Sequence, residues 1–359
     1  MRYNKFLDSK MDKILFSNNV VRKDIEEISA EFTFWDKFNN QTILITGANG
    51  HIASYLAYTF AFRIINRGLN AKLLLLSRNF DKLKKRFGHL ISPNIKLIVH
   101  DISEKLDFNE HIDFIYHFAG NASPYYIKTD PIGIMRANII GTMNVAELAR
   151  TNGSKIIFSS SREVYGKTEG LALLREEDFG KVELLDARSC YPESKRAAEA
   201  ILNSYRLQYN VPFVIARIAH CYGPEMKIDN DGRVMQDFIG NAVNNEDIII
   251  KSDGLALRAF CYITDVISGL LILSTNGIIG EAYNISNEDE EITISELANK
   301  IASITGNINV QLKGSDSDSS LYCSYKRVGL NCTKAKCLGW NPRIGLESGL
   351  TKTIMSFKQ

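Results

Sequence analysis

The 359-residue chain lacks the long hydrophobic runs and terminal signals that direct proteins into or across membranes. No stretch approaches the roughly 20 apolar residues that a membrane-spanning helix requires. The first residues, MRYNKFLDSKMDKILF, carry charges throughout and contain no apolar core, so we expect no signal peptide. These absences predict a cytoplasmic protein without a membrane segment.

The chain has few cysteines, and their spacing is not that of metal ligands. The six residues are Cys190, Cys221, Cys261, Cys323, Cys332 and Cys337. Cys332 and Cys337 lie too far apart for a C-x-x-C motif, and no paired spacing typical of a zinc site occurs. We therefore predict reduced thiols, as in cytosolic proteins, and no bound metal.

The chain also lacks a strong excess of one charge, since its formal net charge is +2. A balance of this kind gives no indication of binding to nucleic acid or to an anionic membrane. Hydrophobic residues make up 45% of the chain and charged residues 23%, which is ordinary for a soluble globular protein. The length fits one large domain or two modest ones, and no internal repeat is evident.

A strand, a glycine-rich turn and a helix follow one another at residues 42–57. Residues 42–45 form a short apolar run typical of a buried parallel strand, and residues 46–53, TGANGHIA, follow directly. Such an arrangement brings backbone N–H groups and a helix N-terminus against a pyrophosphate. It predicts a dinucleotide site with G-x-x-G-x-x-A spacing rather than G-x-G-x-x-G. The expected cofactor-binding residues here are Gly47, Asn49, Gly50, His51 and Ile52.

The residues after the second strand bear on the identity of the cofactor. The strand is predicted at residues 71–76, and Ser77 and Arg78 follow it. A carboxylate at this place would hold the ribose 2′-hydroxyl of NAD, whereas an arginine accommodates the 2′-phosphate of NADP. Neither residue is acidic, so we favour NADP(H), with NAD(H) as the alternative. Arg78 could instead stack over the adenine or face water.

Further strands alternate with helices along the chain. They are predicted at residues 95–99, 112–117, 155–158 and 213–217. This alternation predicts an α/β fold with a doubly wound parallel sheet of the Rossmann type. The small residues Ala119 and Gly120, which follow the fourth strand, suit a backbone that lies along the cofactor at the carboxyl edge of the sheet. Asp101 and Ile102, which follow the third strand, are the other expected cofactor-binding residues.

Two domains and an extension are expected. A dinucleotide-binding Rossmann domain is predicted at residues 41–217, with residues 255–278 returning to it. Residues 218–254 and 279–359 contain turns and short alternating elements. They are predicted to form a smaller C-terminal α+β domain that closes over the carboxyl edge and binds the substrate.

Residues 1–40 are predicted to be an N-terminal helical extension. Its apolar residues recur at helical spacing, at Ile25, Ile28, Phe32, Trp35 and Phe38. Such a stripe indicates a helix docked on the body of the protein or one that covers a dimer surface. The sequence leaves both possibilities open.

Tyr191 and Lys195 are separated by one helical turn, because Pro192 suits the first turn of a helix and good helix formers follow it. An unperturbed phenol titrates near ~10, and a nearby ammonium is expected to lower the pKa of Tyr191. A tyrosine tuned in this way can take a proton from a sugar hydroxyl or give one to a ketone. An exposed pair without a role is the alternative, and the glycine-rich turn and Ser161 favour the catalytic interpretation.

Taken together, these motifs resemble the extended short-chain dehydrogenase/reductases that modify nucleotide sugars. The resemblance covers nearly all of residues 42–357. Its motifs are residues 46–53, Asp101-Ile102, Ser161, Tyr191 with Lys195, residues 222–224 and Arg258. Within this group the closest resemblance is to UDP-glucuronate decarboxylases, through residues 122–124, 163–166, 188–191, 231–233 and 258–260.

The resemblance implies a role for each matching residue. Tyr191 would be the acid/base at the sugar C4 oxygen, Lys195 would hold the nicotinamide ribose and tune Tyr191, and Ser161 would hydrogen-bond the same oxygen. Glu163 completes the expected catalytic set. The expected substrate-binding residues are Ser123, His220, Arg233 and Arg258. The two arginines would clamp the substrate diphosphate, which suits the guanidinium fork.

Three departures from the family bear on the reaction. Arg162 stands where 4,6-dehydratases have an aspartate, so a general acid for eliminating water is missing. Decarboxylases have a small hydroxyl residue at the position of Arg162 and usually a threonine at that of Ser161. The asparagine that precedes the Y-G-P turn in the family is His220 here, which could contact substrate or belong to the core.

Arg78 and Arg162 together favour a reductase of a dTDP-4-dehydro-6-deoxyhexose, in which NADPH gives the hydride and Tyr191 the proton. A UDP-glucuronate decarboxylase and a nucleotide-sugar 4-epimerase are the alternatives within the family. A non-catalytic nucleotide-binding protein is an alternative of another class, since fold does not fix function. The intact Ser161, Tyr191 and Lys195 argue against it. We expect a nucleotide-sugar substrate and a homodimer.

Overall fold

A computed structural model describes residues 16–168, 173–228, 232–313 and 329–359. Its α-helices are α1 Asn19–Glu31, α2 His51–Asn66, α3 Phe80–Phe87, α4 Pro124–Thr129, α5 Pro131–Asn152, α6 Cys190–Tyr209, α7 Val234–Asn244, α8 Ile263–Asn276, α9 Ile294–Thr305, α10 Thr333–Lys336 and α11 Leu346–Phe357. Its strands are β1 Thr42–Thr46, β2 Lys72–Ser77, β3 Ile95–Val99, β4 Phe114–His117, β5 Lys155–Ser161, β6 Leu173–Leu174, β7 Phe213–Ile218, β8 His220–Tyr222, β9 Ile248–Ile250, β10 Leu257–Tyr262, β11 Ala282–Ile285, β12 Glu291–Thr293, β13 Val310–Leu312 and β14 Gly329–Leu330. Short 3-10 helices lie at Trp35–Phe38, Gly88–Leu90 and Arg162–Tyr165. Cys323 and Asp231 lie outside the described residues.

Seven parallel strands form the central sheet, in the order β11-β7-β5-β4-β1-β2-β3. The chain runs outward from β1 to β3 and then to the other side through β4, β5 and β7, so the predicted doubly wound Rossmann-type sheet is confirmed. The six predicted strands are all present, with small shifts at their ends. The seventh strand, β11, comes from residues 279–359, which the sequence assigned wholly to the substrate domain. Because it pairs with β7, this segment completes the edge of the sheet.

The strands of the sheet are buried on both faces, which is why they appear in the sequence as continuous apolar runs. All five residues of β1 are buried. Ile43 and Ile45 pack into one core with α2 and α8, and Leu44 packs into the other with α5 and α6. This is the pattern of parallel strands covered by helices on each side. The carboxyl ends of the strands therefore share one edge, where their loops lie together.

The N-terminal extension is docked on the body of the protein. Helix α1 packs against α2, α8 and α11. Its predicted apolar stripe is buried, and the rings of Trp35 and Phe38 lie 5.8 Å and 5.1 Å from that of Phe60 on α2. Of the two possibilities that the sequence left open, the stripe therefore packs within its own chain.

Beyond β7 the chain builds smaller elements at the carboxyl edge of the sheet. Strands β8, β10 and β12 form a three-stranded sheet, β9 pairs with β13, and α7, α9 and α11 pack against one another. Helix α8 packs back onto β5, β7 and α2. Residues 255–278 were predicted to return to the Rossmann domain. Helix α8 of this segment does so, whereas its strand β10 belongs to the three-stranded sheet.

Candidate active site

The glycine-rich turn joins the end of β1 to the start of α2. Gly47 has a φ of +67°, and a Cβ at this residue would lie 2.8 Å from the backbone nitrogen of Ala119. Only glycine fits this left-handed, crowded position without strain. Gly50 is the N-cap of α2, and a Cβ there would lie 3.2 Å from the carbonyl oxygen of Gly47. The predicted cofactor residues Gly47, Gly50, Ala119 and Gly120 are thus brought together at one edge.

Asn49 and Arg78 lie where the second strand ends. Asn49 donates its side-chain amide to the Ser77 hydroxyl at 2.8 Å. The Arg78 guanidinium lies 3.6 Å from the Asp101 carboxylate, and its side chain is 70% exposed. Although partial burial alone would raise the pKa of Asp101, hydrogen bonds from Ser103 and the charge of Arg78 lower it. Arg78 is therefore paired with Asp101, which is itself a predicted cofactor-binding residue.

The side chain of His51, the first residue of α2, contacts the chain beyond β8. Its Nε2 lies 2.9 Å from the carbonyl oxygen of Pro224, in the turn that follows β8. Burial lowers the pKa of His51 to about 4, and the charges of Arg233 and Arg86 act in the same direction. The imidazole is therefore neutral and links α2 to this turn. Binding of the cofactor by His51, Ile52 and Asn49 stays a prediction.

Tyr191, Lys195 and Ser161 meet at the carboxyl end of β5. Helix α6 begins at Cys190, as its proline in the first turn predicts, and both Tyr191 and Lys195 are buried. Lys195 Nζ donates to the carbonyl oxygen of Ser159 at 2.8 Å and lies 4.6 Å from the centre of the Phe158 ring. The side chain of Ser161 lies close enough to the phenol of Tyr191 to lower its pKa. The predicted acid/base pair and its serine partner are thus one cluster.

The titration of this cluster is set mainly by burial. Burial raises the pKa of Tyr191 to about 12, against the lowering effect of the Ser161 hydrogen bond, and the charge of Glu163 raises it further. Burial lowers the pKa of Lys195 to about 8. Our expectation that Lys195 lowers the pKa of Tyr191 is wrong for this structure. The physical reason is that burial removes the hydration that would stabilise the phenolate. The Lys195 ammonium is bonded to the carbonyl oxygen of Ser159 instead of to Tyr191.

Glu163 and Arg162 lie in the 3-10 helix that follows β5. The backbone N–H of Glu163 donates to Ser161 Oγ at 3.2 Å. Arg162 Nη1 lies 3.8 Å from Glu163 Oε1, and the two side chains are 7% and 13% exposed. Arg162, which stands where dehydratases have an aspartate, is thus a buried cation beside Glu163, the predicted catalytic glutamate.

Asn138 is a site residue that the sequence analysis did not select. It is fully buried on α5, and its Nδ2 donates to the Ser194 hydroxyl at 2.9 Å. A Cβ added to Gly120 would lie 2.6 Å from Asn138 Oδ1 and 3.8 Å from Lys195 Nζ. A polar residue on the buried face of α5 was the signal that could have found it.

His117 was also missed, although it ends the fourth predicted strand. Its Nδ1 lies 2.9 Å from Thr46 Oγ1, and its Nε2 lies 3.2 Å from Thr142 Oγ1. Burial and the charge of Lys195 lower the pKa of His117 to about 3, so it is neutral. Thr46 Oγ1 in turn accepts from the backbone of Ala119. These bonds fix the two loops of the predicted cofactor site to each other.

The predicted substrate residues come from four separate segments. Ser123 is the buried N-cap of α4, and Arg233 is the N-cap of α7. A Cβ on Gly232 would lie 3.4 Å from Pro124, so these two segments are adjacent. Arg258 lies on β10, and the rings of His220 and Phe260 are 5.7 Å apart across β8 and β10. Substrate binding by these residues stays a prediction.

The residues at the carboxyl edge fit a bound dinucleotide. Among the described residues, Asn49 Oδ1, Asn138 Oδ1 and Ser123 Oγ are buried without a hydrogen-bond partner. The two amide oxygens can accept hydrogen bonds from a bound ligand, and the Ser123 hydroxyl can donate or accept one. Gly47 has no side chain to block a pyrophosphate that approaches the turn. The imidazoles of His51 and His117 on the adjoining elements are neutral.

A doubly wound sheet, a glycine-rich turn and a Ser–Tyr–Lys cluster at its carboxyl edge define a short-chain dehydrogenase/reductase. The chain belongs to the NAD dependent epimerase/dehydratase family, whose model matches residues 43–286. The predicted membership in the extended group, the enzymatic class and the dependence on NAD(P) are confirmed at this level.

The chain is similar to curated decarboxylases over most of its length. It is 36% identical over 315 residues to UDP-glucuronic acid decarboxylase 5 of Arabidopsis thaliana, which covers 87% of this chain and 88% of that protein. It is 31% identical over 364 residues to UDP-glucuronic acid decarboxylase 1 of Xenopus tropicalis, which covers 98% of this chain and 82% of that protein. These similarities agree with the decarboxylase alternative better than with the reductase that the sequence analysis favoured.

Solved structures share the fold. The UDP-glucuronic acid 4-epimerase of Bacillus cereus, in complex with UDP-glucuronic acid and NAD, gives a TM-score of 0.74 at 24% identity and covers 89% of this chain and 99% of its own. Pal from Bacillus thuringiensis gives a TM-score of 0.75 at 26% identity, with the same coverage.

The described residues contain neither a metal-binding cluster nor a membrane-spanning helix. In the ranges that the structure describes, no three His, Cys, Asp or Glu side chains are grouped so that they could hold a metal ion. None of the described helices is both long and apolar enough to span a membrane.

Proposed function

We propose that the protein is a UDP-glucuronic acid decarboxylase that oxidises the sugar at C4, releases carbon dioxide from C5 and reduces C4 again. The observation that carries this proposal is the buried Ser161–Tyr191–Lys195 cluster at the carboxyl edge, in a chain that is 36% identical to a decarboxylase over most of both lengths. The cluster supports proton transfer at a sugar hydroxyl, and the similarity supports the substrate.

The residues of the cluster have complementary roles in the proposed reaction. A bound nicotinamide would accept a hydride from C4 and supply one for its reduction, and Lys195 and the glycine-rich turn would hold the cofactor. Burial keeps Tyr191 a neutral phenol in the structure, so it takes the proton of the C4 hydroxyl only in its phenolate form, and Ser161 hydrogen-bonds the same oxygen. The resulting 4-ketone lies β to the carboxylate on C5, so loss of carbon dioxide leaves an enolate, which a proton from water at C5 converts back to the 4-ketone before C4 is reduced. This enolate carries negative charge on the C4 oxygen. Ser161 and Tyr191 are placed to stabilise that charge, which is where enzymes gain most.

Arg162 bears on the choice among family reactions. A dehydratase needs an acid that protonates the leaving hydroxide, and an arginine cannot give up its proton at ordinary pH. Arg162 therefore counts against a dehydratase. Its buried guanidinium lies beside the Glu163 carboxylate, so its charge is already partly balanced and gives no preference for an acidic sugar.

The proposed cofactor preference is NADP(H), with NAD(H) as the alternative. Arg78 follows β2 directly and is largely exposed, so it can reach a 2′-phosphate. Its pairing with Asp101 opposes this, because the carboxylate already neutralises part of the charge. The relatives of known structure include complexes with NAD, which supports the alternative.

The direct test is incubation with UDP-glucuronic acid and a substoichiometric amount of either oxidised cofactor, followed by mass spectrometry of the nucleotide sugar. Loss of carbon dioxide supports the decarboxylase, and Tyr191→Phe is the inactive control. Product with unchanged mass but altered chromatographic mobility would indicate an epimerase. Recovery of unchanged substrate under all conditions would contradict the proposal.

A second candidate is the reductase of a dTDP-4-dehydro-6-deoxyhexose, which Arg78 favours through NADPH. It differs in consuming its cofactor at every turnover. Stoichiometric oxidation of NADPH with a 4-ketosugar, read as a gain of two hydrogens in the product, would support it.

We also propose a homodimer. The outer face of α5 exposes the apolar side chains of Ile132, Ile140 and Met143, and Leu207 and Tyr209 are exposed on the neighbouring α6. Burying such a face between two copies would remove apolar surface from water. Analytical ultracentrifugation tests this, and replacement of Ile140 by aspartate is expected to shift the protein to monomer.

A further inference from the structure

A buried ion pair lies directly behind the segment that carries Ser161 and Glu163. Glu199 on α6 and Arg217 on β7 form two hydrogen bonds, at 2.7 Å and 3.1 Å, and their side chains are 13% and 14% exposed. Paired bonds of this kind between a guanidinium and a carboxylate fix geometry as well as charge. Neither residue belongs to the catalytic set described above.

The pair holds the segment 159–165, here called the catalytic turn, at both ends. At its start, the hydroxyl of Ser160 donates to Glu199 Oε1 at 2.6 Å. At its end, Arg217 Nη1 donates to the hydroxyl oxygen of Tyr165 at 3.1 Å. That hydroxyl donates to Asn284 Oδ1 on β11 at 2.6 Å. Ser161 and Glu163 lie between these two anchors.

Glu199 also lies close to the charge of the catalytic lysine. Tyr191, Lys195 and Glu199 follow one another at intervals of one turn along the same face of α6, with Lys195 in the middle. Burial lowers the pKa of Lys195, and the charge of Glu199 raises it again. The groups around Lys195 are Tyr191 and Glu199 on α6, His117 on β4, Asn138 on α5, and the Ser159 carbonyl and Phe158 ring on β5. Of these groups, Glu199 is the one with a carboxyl side chain.

We propose that Glu199 is a positioning residue, which with Arg217 clamps the catalytic turn against α6 and places a carboxylate one helical turn from Lys195. The clamp fixes the approach of Ser161 to Tyr191, because the anchor at Ser160 is adjacent to Ser161 in the chain. The inference rests on the proposed chemistry at the sugar C4 atom. Its two effects, on geometry and on charge, are separable by mutation.

Ser160→Ala tests the geometry, since it removes one anchor and leaves the ion pair intact. We expect kcat to fall by about tenfold or more, with KM within roughly twofold of wild type, because displaced catalytic groups mainly affect the transition state. The matched control is Ser154→Ala, which also removes a buried hydroxyl. That hydroxyl donates to the backbone carbonyl of Ile112 and not to Glu199. Equal kcat in Ser160→Ala, Ser154→Ala and wild type would overturn the positioning role.

Glu199→Gln tests the charge, and its readout needs no substrate. Trace acetylation of Lys195 at a series of pH values, read by peptide mass spectrometry, reports how the amine titrates. We expect its midpoint to move to lower pH in Glu199→Gln and to stay in place in Glu147→Gln, which disrupts an exposed pair with Arg150. An unmoved midpoint in a folded Glu199→Gln would overturn the charge effect.

The two tests also separate this inference from the proposed function. If Tyr191→Phe retains turnover, the proposed chemistry fails, whereas the titration of Lys195 remains measurable. If Glu199→Gln does not fold, because it leaves Arg217 buried without its carboxylate, Ser160→Ala decides the question by itself.

Discussion

Replacing Asp24 by alanine is expected to destabilise the protein by roughly 3–5 kcal/mol. Asp24 lies on α1 and is fully buried. Its carboxylate accepts from the hydroxyls of Tyr55 at 3.1 Å and Tyr262 at 2.7 Å, and from Lys352 Nζ at 3.0 Å. These partners lie on α2, β10 and α11, so one side chain ties the N-terminal extension to three other elements.

The magnitude follows from what the substitution leaves behind. Two phenol groups in the protein interior lose their acceptor, and each unsatisfied buried donor costs about 1–3 kcal/mol. Lys352 loses its buried partner but stays 28% exposed, so water recovers part of that loss. Burial raises the pKa of Asp24, which indicates that the partners only partly offset its desolvation. The expected loss is therefore a few kcal/mol rather than the full strength of the bonds.

Glu27→Ala is the matched control. Glu27 lies on the same helix, and its carboxylate is 3.4 Å from the same Lys352 ammonium, but its side chain is 54% exposed. Exposed pairs contribute only about 0–1 kcal/mol, so this variant should unfold nearly as wild type does. Urea unfolding of both variants gives the comparison. A loss in Asp24→Ala no larger than that in Glu27→Ala would refute the reasoning.

Three further outcomes are expected. Tyr191→Phe and Lys195→Ala should lower turnover by about 10²–10⁴-fold while circular dichroism shows an intact fold, and near-normal activity in Tyr191→Phe would remove it from the acid/base role. Ser161→Ala should lower kcat more than it raises KM, because its hydrogen bond strengthens as charge develops on the C4 oxygen; a binding defect alone would exclude it from the catalytic set. Arg78→Ala should narrow the preference for NADPH over NADH in fluorescence titrations, most clearly at low salt. Equal affinities in wild type would contradict the NADP assignment and favour NAD.

The amino-acid sequence alone predicts the fold class and the residues that meet in the candidate catalytic cluster. Both depend on patterns a few residues long. Apolar runs separated by helical segments dictate a parallel sheet buried on both faces, and the spacing of Tyr191 and Lys195 dictates that they share a helical face. Since parallel strands end at a common edge, the prediction that Ser161 and the glycine-rich turn lie near them followed without any tertiary information.

The contacts between residues far apart in the chain are known only from the tertiary structure. Asp24 and Tyr262 are separated by 238 residues, and β11 pairs with β7 although the helices α7 and α8 and three short strands intervene in the chain. No local period encodes such pairings. The pKa of Tyr191 was likewise misjudged, because the sequence supplies its neighbours but not the burial that removes its hydration. Short-range sequence patterns therefore indicate which groups meet at the site. Burial and long-range pairing, which depend on the whole fold, determine the pKa values and the distant contacts of those groups.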